Sequence, residues 1–293
     1  MKQLLLIVNP VAGVKKAAKY LADIISVFNR ADYAVRVYVT DKRGDATDAV
    51  KKWGAEFDQI VCCGGDGTLN ETINGVVQSG LYIPIGYIPT GSTNDFANSL
   101  GLSGDAVAAA RQIVTGTPRL YDIGKFEDRY FSYVASFGVF TKTSYTTPQN
   151  IKNALGHMAY LLEGISEISK IKKKHLRMET DQGVLEDDYL FGAICNSTSI
   201  GGLLTLNSKL VDLSDGKFEI ILVRAPKSVQ ELHECVMAVK NQTYDCGMLA
   251  FRSTARVQIT ADPNMPWTLD GERAEGRERI FVENLHQKIM LVS

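Results

Sequence analysis

The sequence contains no apolar run long enough to cross a bilayer. A spanning helix needs roughly 20 apolar residues, whereas the N-terminal run Leu4–Val8 already stops at Asn9-Pro10. That run is also too short for the core of a secretory signal, and no small-residue cleavage site follows it. Cysteine is scarce and shows no pairing pattern. There are five residues, an odd number, with Cys62 and Cys63 adjacent and no CxxC. The expectation is reduced, mostly buried thiols in a cytoplasmic protein, which makes the Asn-x-Ser/Thr triplets at Asn70, Asn196 and Asn241 irrelevant to glycosylation. Neither sign of charge is in excess. The 32 basic and 33 acidic residues leave a net charge of −1, which argues against nucleic-acid binding through bulk positive charge. Repeats and low-complexity segments are absent, and a 45% share of hydrophobic residues suits a folded chain. At about 100–200 residues per domain, 293 residues suggest two domains.

Several catalytic signatures are missing too. The sequence has no GxxxxGK[ST] phosphate loop, no GxGxxG dinucleotide fingerprint and no GxSxG elbow. His233-Glu234 opens a zinc-protease pattern that fails at Met237.

What is present in the first half is an alternation of strands and helices. Leu4–Asn9, Tyr33–Thr40, Gln59–Cys63 and Ile83–Ile88 read as strands. Helical spacing of apolar residues covers Val14–Phe28, Asp45–Trp53 and Leu69–Val77, with a short helix at Asp95–Leu100. This rhythm predicts a parallel sheet with crossover helices. From about Tyr121 strand-like runs take over: Tyr130–Ser136, Leu176–Glu179, Tyr189–Cys195, Phe218–Val223, Arg256–Ile259, Ile280–Val282 and Lys288–Val292. Two helical stretches, Ile151–Lys174 and Ser228–Asn241, interrupt them. The expected architecture is an α/β domain over 1–122 with a parallel, Rossmann-like sheet, and a β-rich, sandwich-like domain over 123–293 whose last residues can return to pack on the first.

Three predicted strands end in polar, glycine-bearing turns: Asn9-Pro10-Val11-Ala12-Gly13, Gly64-Gly65-Asp66-Gly67-Thr68 and Thr90-Gly91-Ser92-Thr93-Asn94-Asp95. In open α/β sheets ligands collect at the carboxyl ends of strands. Glycine lets backbone amides approach phosphate oxygens, and a following helix adds the positive end of its dipole. Asp66 and Asp95 would repel phosphate unless a cation sits between, which is the arrangement a magnesium–triphosphate site needs. One such turn is usually only a turn; three on successive strands, two carrying Asp, point to a nucleotide.

These motifs resemble the diacylglycerol kinase catalytic-domain family, which includes bacterial soluble lipid kinases and sphingosine kinases. The resemblance is carried by Asn9-Pro10-x-x-Gly13, Gly64–Glu71 and Gly91-Ser92-Thr93-Asn94-Asp95-Phe96-Ala97. It extends through Tyr121-Asp122-Ile123-Gly124, Phe137-Gly138, Asp215-Gly216 and Leu269-Asp270-Gly271-Glu272, so it spans nearly the whole chain. The GGDGT loop is shared with NAD kinases and phosphofructokinases. The resemblance implies an NAD-kinase-like first domain and a nucleotide cleft between the two domains. It implies ATP contacts at Asn9, Pro10, Val11, Ala12, Gly13, Thr40, Gly64, Gly65, Asp66, Gly67, Thr68, Leu69, Asn70, Glu71 and Ser92. It also implies a magnesium-linked acidic network through Asp66, Asp95 and Asp122, a general base at Glu272, and a second, structural Mg²⁺ at Asp212, Asp215 and Lys217.

Two positions depart from the family pattern. Ser214-Asp215-Gly216 stands where Asp-Asp-Gly is frequent, leaving one fewer carboxylate, and Gly91-Ser92 replaces glycine-threonine while keeping the hydroxyl. The function implied is ATP-dependent phosphorylation of diacylglycerol or a similar lipid alcohol by a cytoplasmic enzyme peripheral to the membrane, with a homodimer left open and no nucleic-acid partner. The alternatives are a kinase of a soluble acceptor such as NAD and a non-catalytic nucleotide- or lipid-binding regulator. The basic cluster Lys170, Lys172, Lys173, Lys174, His175 and Arg177 reads either as an anionic-lipid contact or as the solvated end of a core helix.

Overall fold

The apolar runs at the start of the chain pair as parallel strands. The computed structural model, which describes residues 1–13, 16–138, 172–200, 204–244 and 246–292, divides the chain into two compact units. One comprises Met1–Asp122 with Gln287–Ser293, the other Ile123–His286. Of the helical stretch expected over Ile151–Lys174, residues up to 171 lie outside the described residues, and Lys174 opens a strand.

In the first unit, β1 (Lys2–Val8), β2 (Tyr33–Val39), β3 (Gln59–Gly64) and β4 (Pro84–Pro89) lie in the order β2-β1-β3-β4, all parallel. Near the end of the chain, Met290 and Leu291 add a fifth parallel strand beside Pro84 and Ile85. Helices are α1 (Lys16–Lys19), α2 (Leu21–Arg30), α3 (Asp45–Trp53), α4 (Asp66–Gln78), α5 (Asp95–Ser99) and α6 (Ala106–Thr115). Side chains alternate across each strand. Leu4, Leu6, Val8, Val61 and Cys63 therefore share one core with Ile24 and Phe28 of α2 and Ala109, Ala110 and Ile113 of α6. Cys62 faces the other way and meets the Thr72 hydroxyl of α4. Cover on both faces is why β1 and β3 read as unbroken apolar runs, whereas β2, at the end of the order, is half-exposed and alternates.

The single helix expected over Val14–Phe28 is interrupted at Tyr20 (φ −104°, ψ 9°), with residues 14 and 15 outside the described set. Helix α6 was not expected, although its signal is present: Asp105 caps it by accepting a 2.8 Å bond from the Ala108 amide. The chain leaves β1 for β2, then crosses back to β3 on the other side of β1. Strand order reverses there, and such a switch point opens a crevice at the carboxyl ends of the two central strands.

β5 (Pro118–Phe126) carries the chain into the second unit, whose described strand pairings are antiparallel. There follow β6 (Arg129–Phe131), β7 (Val134–Gly138), β8 (Lys174–Thr180), β9 (Gly183–Cys195), β10 (Ser199–Ile200), β11 (Leu204–Thr205), β12 (Phe218–Arg224), β13 (Leu249–Thr254), β14 (Arg256–Ala261), β15 (Trp267–Leu269), β16 (Glu272–Ala274) and β17 (Arg279–Val292). Long β9 organises them: its first half pairs with β8, its second half with β7 on one side and β12 on the other. The core is aromatic at its centre, with Trp267 5.2 Å from Phe126 and 5.0 Å from Phe137, and Phe131 stacked on Phe218 at 5.6 Å. The helix Val229–Lys240 is capped by Ser228, whose hydroxyl accepts from the Glu231 amide. The expected strand Tyr130–Ser136 is in fact two strands, and the two expected at Ile280–Val282 and Lys288–Val292 are one.

Candidate active site

The strand ends of the first unit are stitched to one another. Asn9 N donates to Cys63 O at 2.9 Å, Thr40 N to Val8 O at 2.9 Å and Thr90 N to Gly64 O at 2.8 Å. This brings the three glycine-bearing segments side by side. Gly64-Gly65-Asp66-Gly67-Thr68 is not a turn ahead of a helix, because α4 starts at Asp66 with Gly65 as its N-cap. The amides of its first turn thus lie at the crevice.

Each glycine in these segments has its own task. A Cβ on Gly64 would sit 2.6 Å from the Thr68 side chain, so Gly64 makes room for Thr68. Gly65 and Gly91 pack backbone to backbone: a Cβ on Gly91 would lie 2.6 Å from Gly65 Cα. Gly13 has φ +51°, and a Cβ there would fall 1.8 Å from Thr90 O. Gly67 faces open space, with nothing within 4 Å of its Cβ position. The third segment is closed by Asn94, which adopts the left-handed conformation (φ 52°) that Asn tolerates better than most residues. Its Oδ1 accepts from Gly91 N at 3.0 Å and Tyr87 OH at 3.3 Å, while its Nδ2 donates to Gly91 O at 3.0 Å.

A cavity of about 560 Å³ results, lined by Asn9, Pro10, Val11, Ala12, Thr40, Gly65, Gly67, Thr68, Glu71 and Gly91 among others. Asn9 Nδ2 donates to Thr68 Oγ1 at 3.0 Å, and Asn9 Oδ1 accepts from Val11 N at 3.1 Å. Of the other residues expected at ATP, Gly13, Gly64, Asp66, Leu69, Asn70 and Ser92 are not on its walls. Leu69 is buried in the inner face of α4, and Ser92 is exposed. The cavity also takes in Asp41, Lys42 and Arg43, which the sequence reading did not single out. Their signal was the turn between β2 and α3. There Asp45 Oδ2 accepts from Asp41 N (2.7 Å) and Lys42 N (2.9 Å), and these amides hold the Asp45 carboxyl below its usual range. Glu71 accepts from Gly44 N (2.8 Å) and Ala46 N (3.2 Å), so its carboxylate caps α3.

The acidic residues separate into groups. Asp66 accepts from the amides of Asp95 (3.1 Å) and Phe96 (3.3 Å), capping α5, and Asp95 is buried. Both carboxylates act on Tyr87, whose phenol is pushed up first by burial and then by Asp66, Cys62 and Asp95. Asp122 is fully buried and accepts from Gln287 N at 2.7 Å. The buried thiols of Cys62, Cys63, Cys195 and Cys235 are raised chiefly by burial and so stay protonated, which makes them poor nucleophiles.

Glu272 lies in the second unit, at the start of β16. Asp270 (φ 48°) and Gly271 (φ 85°) form the two-residue turn of the β15–β16 hairpin, where Asp-Gly suits the positive φ at both positions. This tip is tied into the fold: the buried Asp270 carboxylate accepts from the amides of Ser132, Tyr133 and Val134. That same set of bonds splits β6 from β7. Glu272 Oε2 is 3.5 Å from Arg129 Nη2, and Arg129 Nη1 donates to Arg273 O at 2.9 Å.

At the turn before β12, Asp212 Oδ1 accepts from Ser214 N (3.0 Å) and Ser214 Oγ (2.9 Å), and Asp215 Oδ1 from Lys217 N (2.9 Å). Lys217 O accepts from Asn284 Nδ2 at 2.9 Å. Among the described residues no three His, Cys, Asp or Glu side chains are grouped to hold a metal. Nearby Glu219 is buried, and its Oε2 has no hydrogen-bond partner. Burial, then the charges of Asp215 and Asp212, pushes its carboxyl up to about 8. A buried carboxyl oxygen without a hydrogen-bond partner, close to the Asp212 and Asp215 carboxylates, is the feature at this turn that a bound hard cation would satisfy. Three described residues of the basic cluster lie beside carboxylates: Lys173 at 2.6 Å and His175 at 3.1 Å from Asp188, and Arg177 at 3.0 Å from Glu179 and 2.8 Å from Glu186.

Residues 3–126 match the diacylglycerol kinase catalytic domain. The chain is 31% identical over 294 residues to the diacylglycerol kinase of Bacillus subtilis (strain 168), covering 100% of this chain and 96% of that protein. The chain belongs to the diacylglycerol kinase family. It is accordingly a lipid kinase. A second diacylglycerol kinase, from Staphylococcus epidermidis, is 30% identical over 292 residues, covering 98% of this chain and 91% of that protein. The mixed α/β fold is that of the family as well. Two solved structures from Bacillus anthracis str. Sterne, one of them a diacylglycerol kinase, match with TM-scores of 0.82 and 0.76 at 22% identity, each over 99% of this chain and 96% of theirs.

Proposed function

We propose that this lipid kinase transfers the γ-phosphoryl group of ATP to the hydroxyl of diacylglycerol or a closely related lipid alcohol. The observation that carries the reading is the cavity at the switch point of the parallel sheet. Its volume of about 560 Å³ suits a nucleotide. Its walls offer what a polyphosphate binds: the amides of the first turn of α4, the Thr40 and Thr68 hydroxyls, and the Asn9 side chain.

The chain's own residues divide the work. The wall residues Asn9–Ala12, Gly65, Gly67, Thr68 and Gly91 hold the donor phosphates in line for attack. Asp66, Asp95 and Asp122 are the carboxylates we assign to the magnesium network, and that ion, when bound, neutralises charge on the phosphate oxygens. Glu272 accepts the proton of the acceptor hydroxyl as phosphoryl transfer proceeds. Asp212, Asp215 and the Lys217 main chain would hold a second Mg²⁺ whose binding would stabilise the fold, with Glu219 beside it. Because the acyl tails of the acceptor stay in lipid, the reaction takes place at the cytoplasmic surface of a membrane.

The test is transfer of radiolabel from [γ-³²P]ATP to diacylglycerol in mixed micelles with Mg²⁺, with NAD as a soluble control acceptor. Labelled phosphatidic acid and unlabelled NAD are expected. Label in NAD but in none of a panel of lipid alcohols would overturn the reading.

A further inference from the structure

A nucleoside triphosphate brings several negative charges into a cavity whose other charged wall residues, Asp41 and Glu71, are acidic. Among the described residues on its walls, the cations are Lys42 and Arg43. Both are exposed side chains on the β2–α3 turn, and the backbone of that turn is fixed from two directions. Asp45 takes the amides of Asp41 and Lys42, and Glu71, from the helix that carries the glycine loop, takes those of Gly44 and Ala46. Thr47 Oγ1 adds a 2.8 Å bond to Glu71 O. The backbone of the turn is thus tied to the first half of α4, which sets where the two basic side chains start relative to the loop amides. Long basic side chains that rise from a fixed backbone at the rim of a cavity can close over a polyanion without ordering any main chain.

We propose that Lys42 and Arg43 clamp the polyphosphate of the nucleotide, Arg43 by its fork of N–H donors and Lys42 as a point charge. The inference rests on the reading of this cavity as the ATP site. It adds a pair of binding residues outside the glycine motifs, and it accounts for the use of Glu71 as an anchor of the turn: the carboxylate that caps α3 also sets the height of the clamp.

The experiment is calorimetric titration of adenosine, AMP, ADP and ATP, the last two with Mg²⁺, into the parent protein, Lys42→Met, Arg43→Met and the double variant, with melting curves to check folding. Each single change should weaken ATP about tenfold, the equivalent of one lost charge-assisted hydrogen bond. The loss should grow from AMP to ATP and spare adenosine. A double variant that binds ATP like the parent overturns the proposal, as does a uniform loss that includes adenosine. Gly67→Val separates this failure from failure of the site. If it abolishes ATP binding while the double variant does not, the cavity stands and the clamp falls. If ATP binds the parent and Gly67→Val alike, the nucleotide is elsewhere and both fall.

Discussion

Gly13→Ala asks how closely the first and third glycine segments must approach. The added Cβ would fall 1.8 Å from Thr90 O and 2.9 Å from Thr90 C, so backbone must move. Two costs add. An L-residue held at φ +51° costs about 1–2 kcal/mol, and forcing extra volume into a packed contact costs about 1–3 kcal/mol. The expected loss of stability is therefore about 2–5 kcal/mol. Gly67→Ala is the matched control. Nothing lies within 4 Å of its Cβ position and its φ is not positive, so the change should be neutral or stabilise by about 0.4–1 kcal/mol through the unfolded chain. The same methyl group projects into the cavity, so ATP binding should weaken. Urea unfolding followed by circular dichroism gives the first quantity and calorimetry the second. An unchanged urea midpoint for Gly13→Ala would refute the contact with Thr90. An equal destabilisation by Gly67→Ala would refute the division of labour among the glycines.

Three further outcomes are expected. Glu272→Gln should lower turnover by about 10²–10⁴-fold while ATP affinity stays at the parent value, because a base acts on the acceptor proton; steady-state kinetics with near-normal turnover would remove Glu272 from that role. Mg²⁺ should raise the melting temperature of the parent, by the equivalent of about 1.4 kcal/mol at ten times its Kd, and Asp215→Ala should abolish that increment; equal increments in both proteins would take Asp215 out of the metal site. Asp45 gives a pH dependence: its native carboxyl holds a lowered pKa through the Lys42 and Asp41 amides, so the native state binds fewer protons than the unfolded one, and its stabilisation is present above the unfolded value near pH 4 and lost as acid carries the pH down through the native value. Asp45→Asn should flatten the decline in urea midpoint below pH 4, and an unchanged slope would count against the turn as described.

The alternation of strands and helices in the first half was legible because β1 and β3 are covered on both faces, so burial is written as continuous runs such as Leu4–Val8, while half-exposed β2 shows as a β-branched alternation. The helix Asp45–Trp53 and the strand starting at Tyr33 were legible for the same local reasons, spacing and β-branching. The family could be named from the order of short motifs, since a loop that must bring backbone close to backbone tolerates few residue types. What lay beyond the sequence was set by contacts distant along the chain. Asp270 divides Tyr130–Ser136 into two strands from 136 to 138 residues away, and no local pattern records that. Pairing with β14 and β4 makes one strand of Arg279–Val292, although its polar middle, Glu283–Gln287, separates the two strands expected from sequence. The glycines of one motif look alike in sequence, yet Gly64 yields to a side chain, Gly65 to another backbone and Gly67 to an open cavity. Composition and spacing fixed which residues could stand near a phosphate. Only the meeting of β1, β2, β3 and β4 at their carboxyl ends decided which of them line one cavity, because a hydrogen bond or a clash depends on ångström distances between segments that sequence separates by tens of residues.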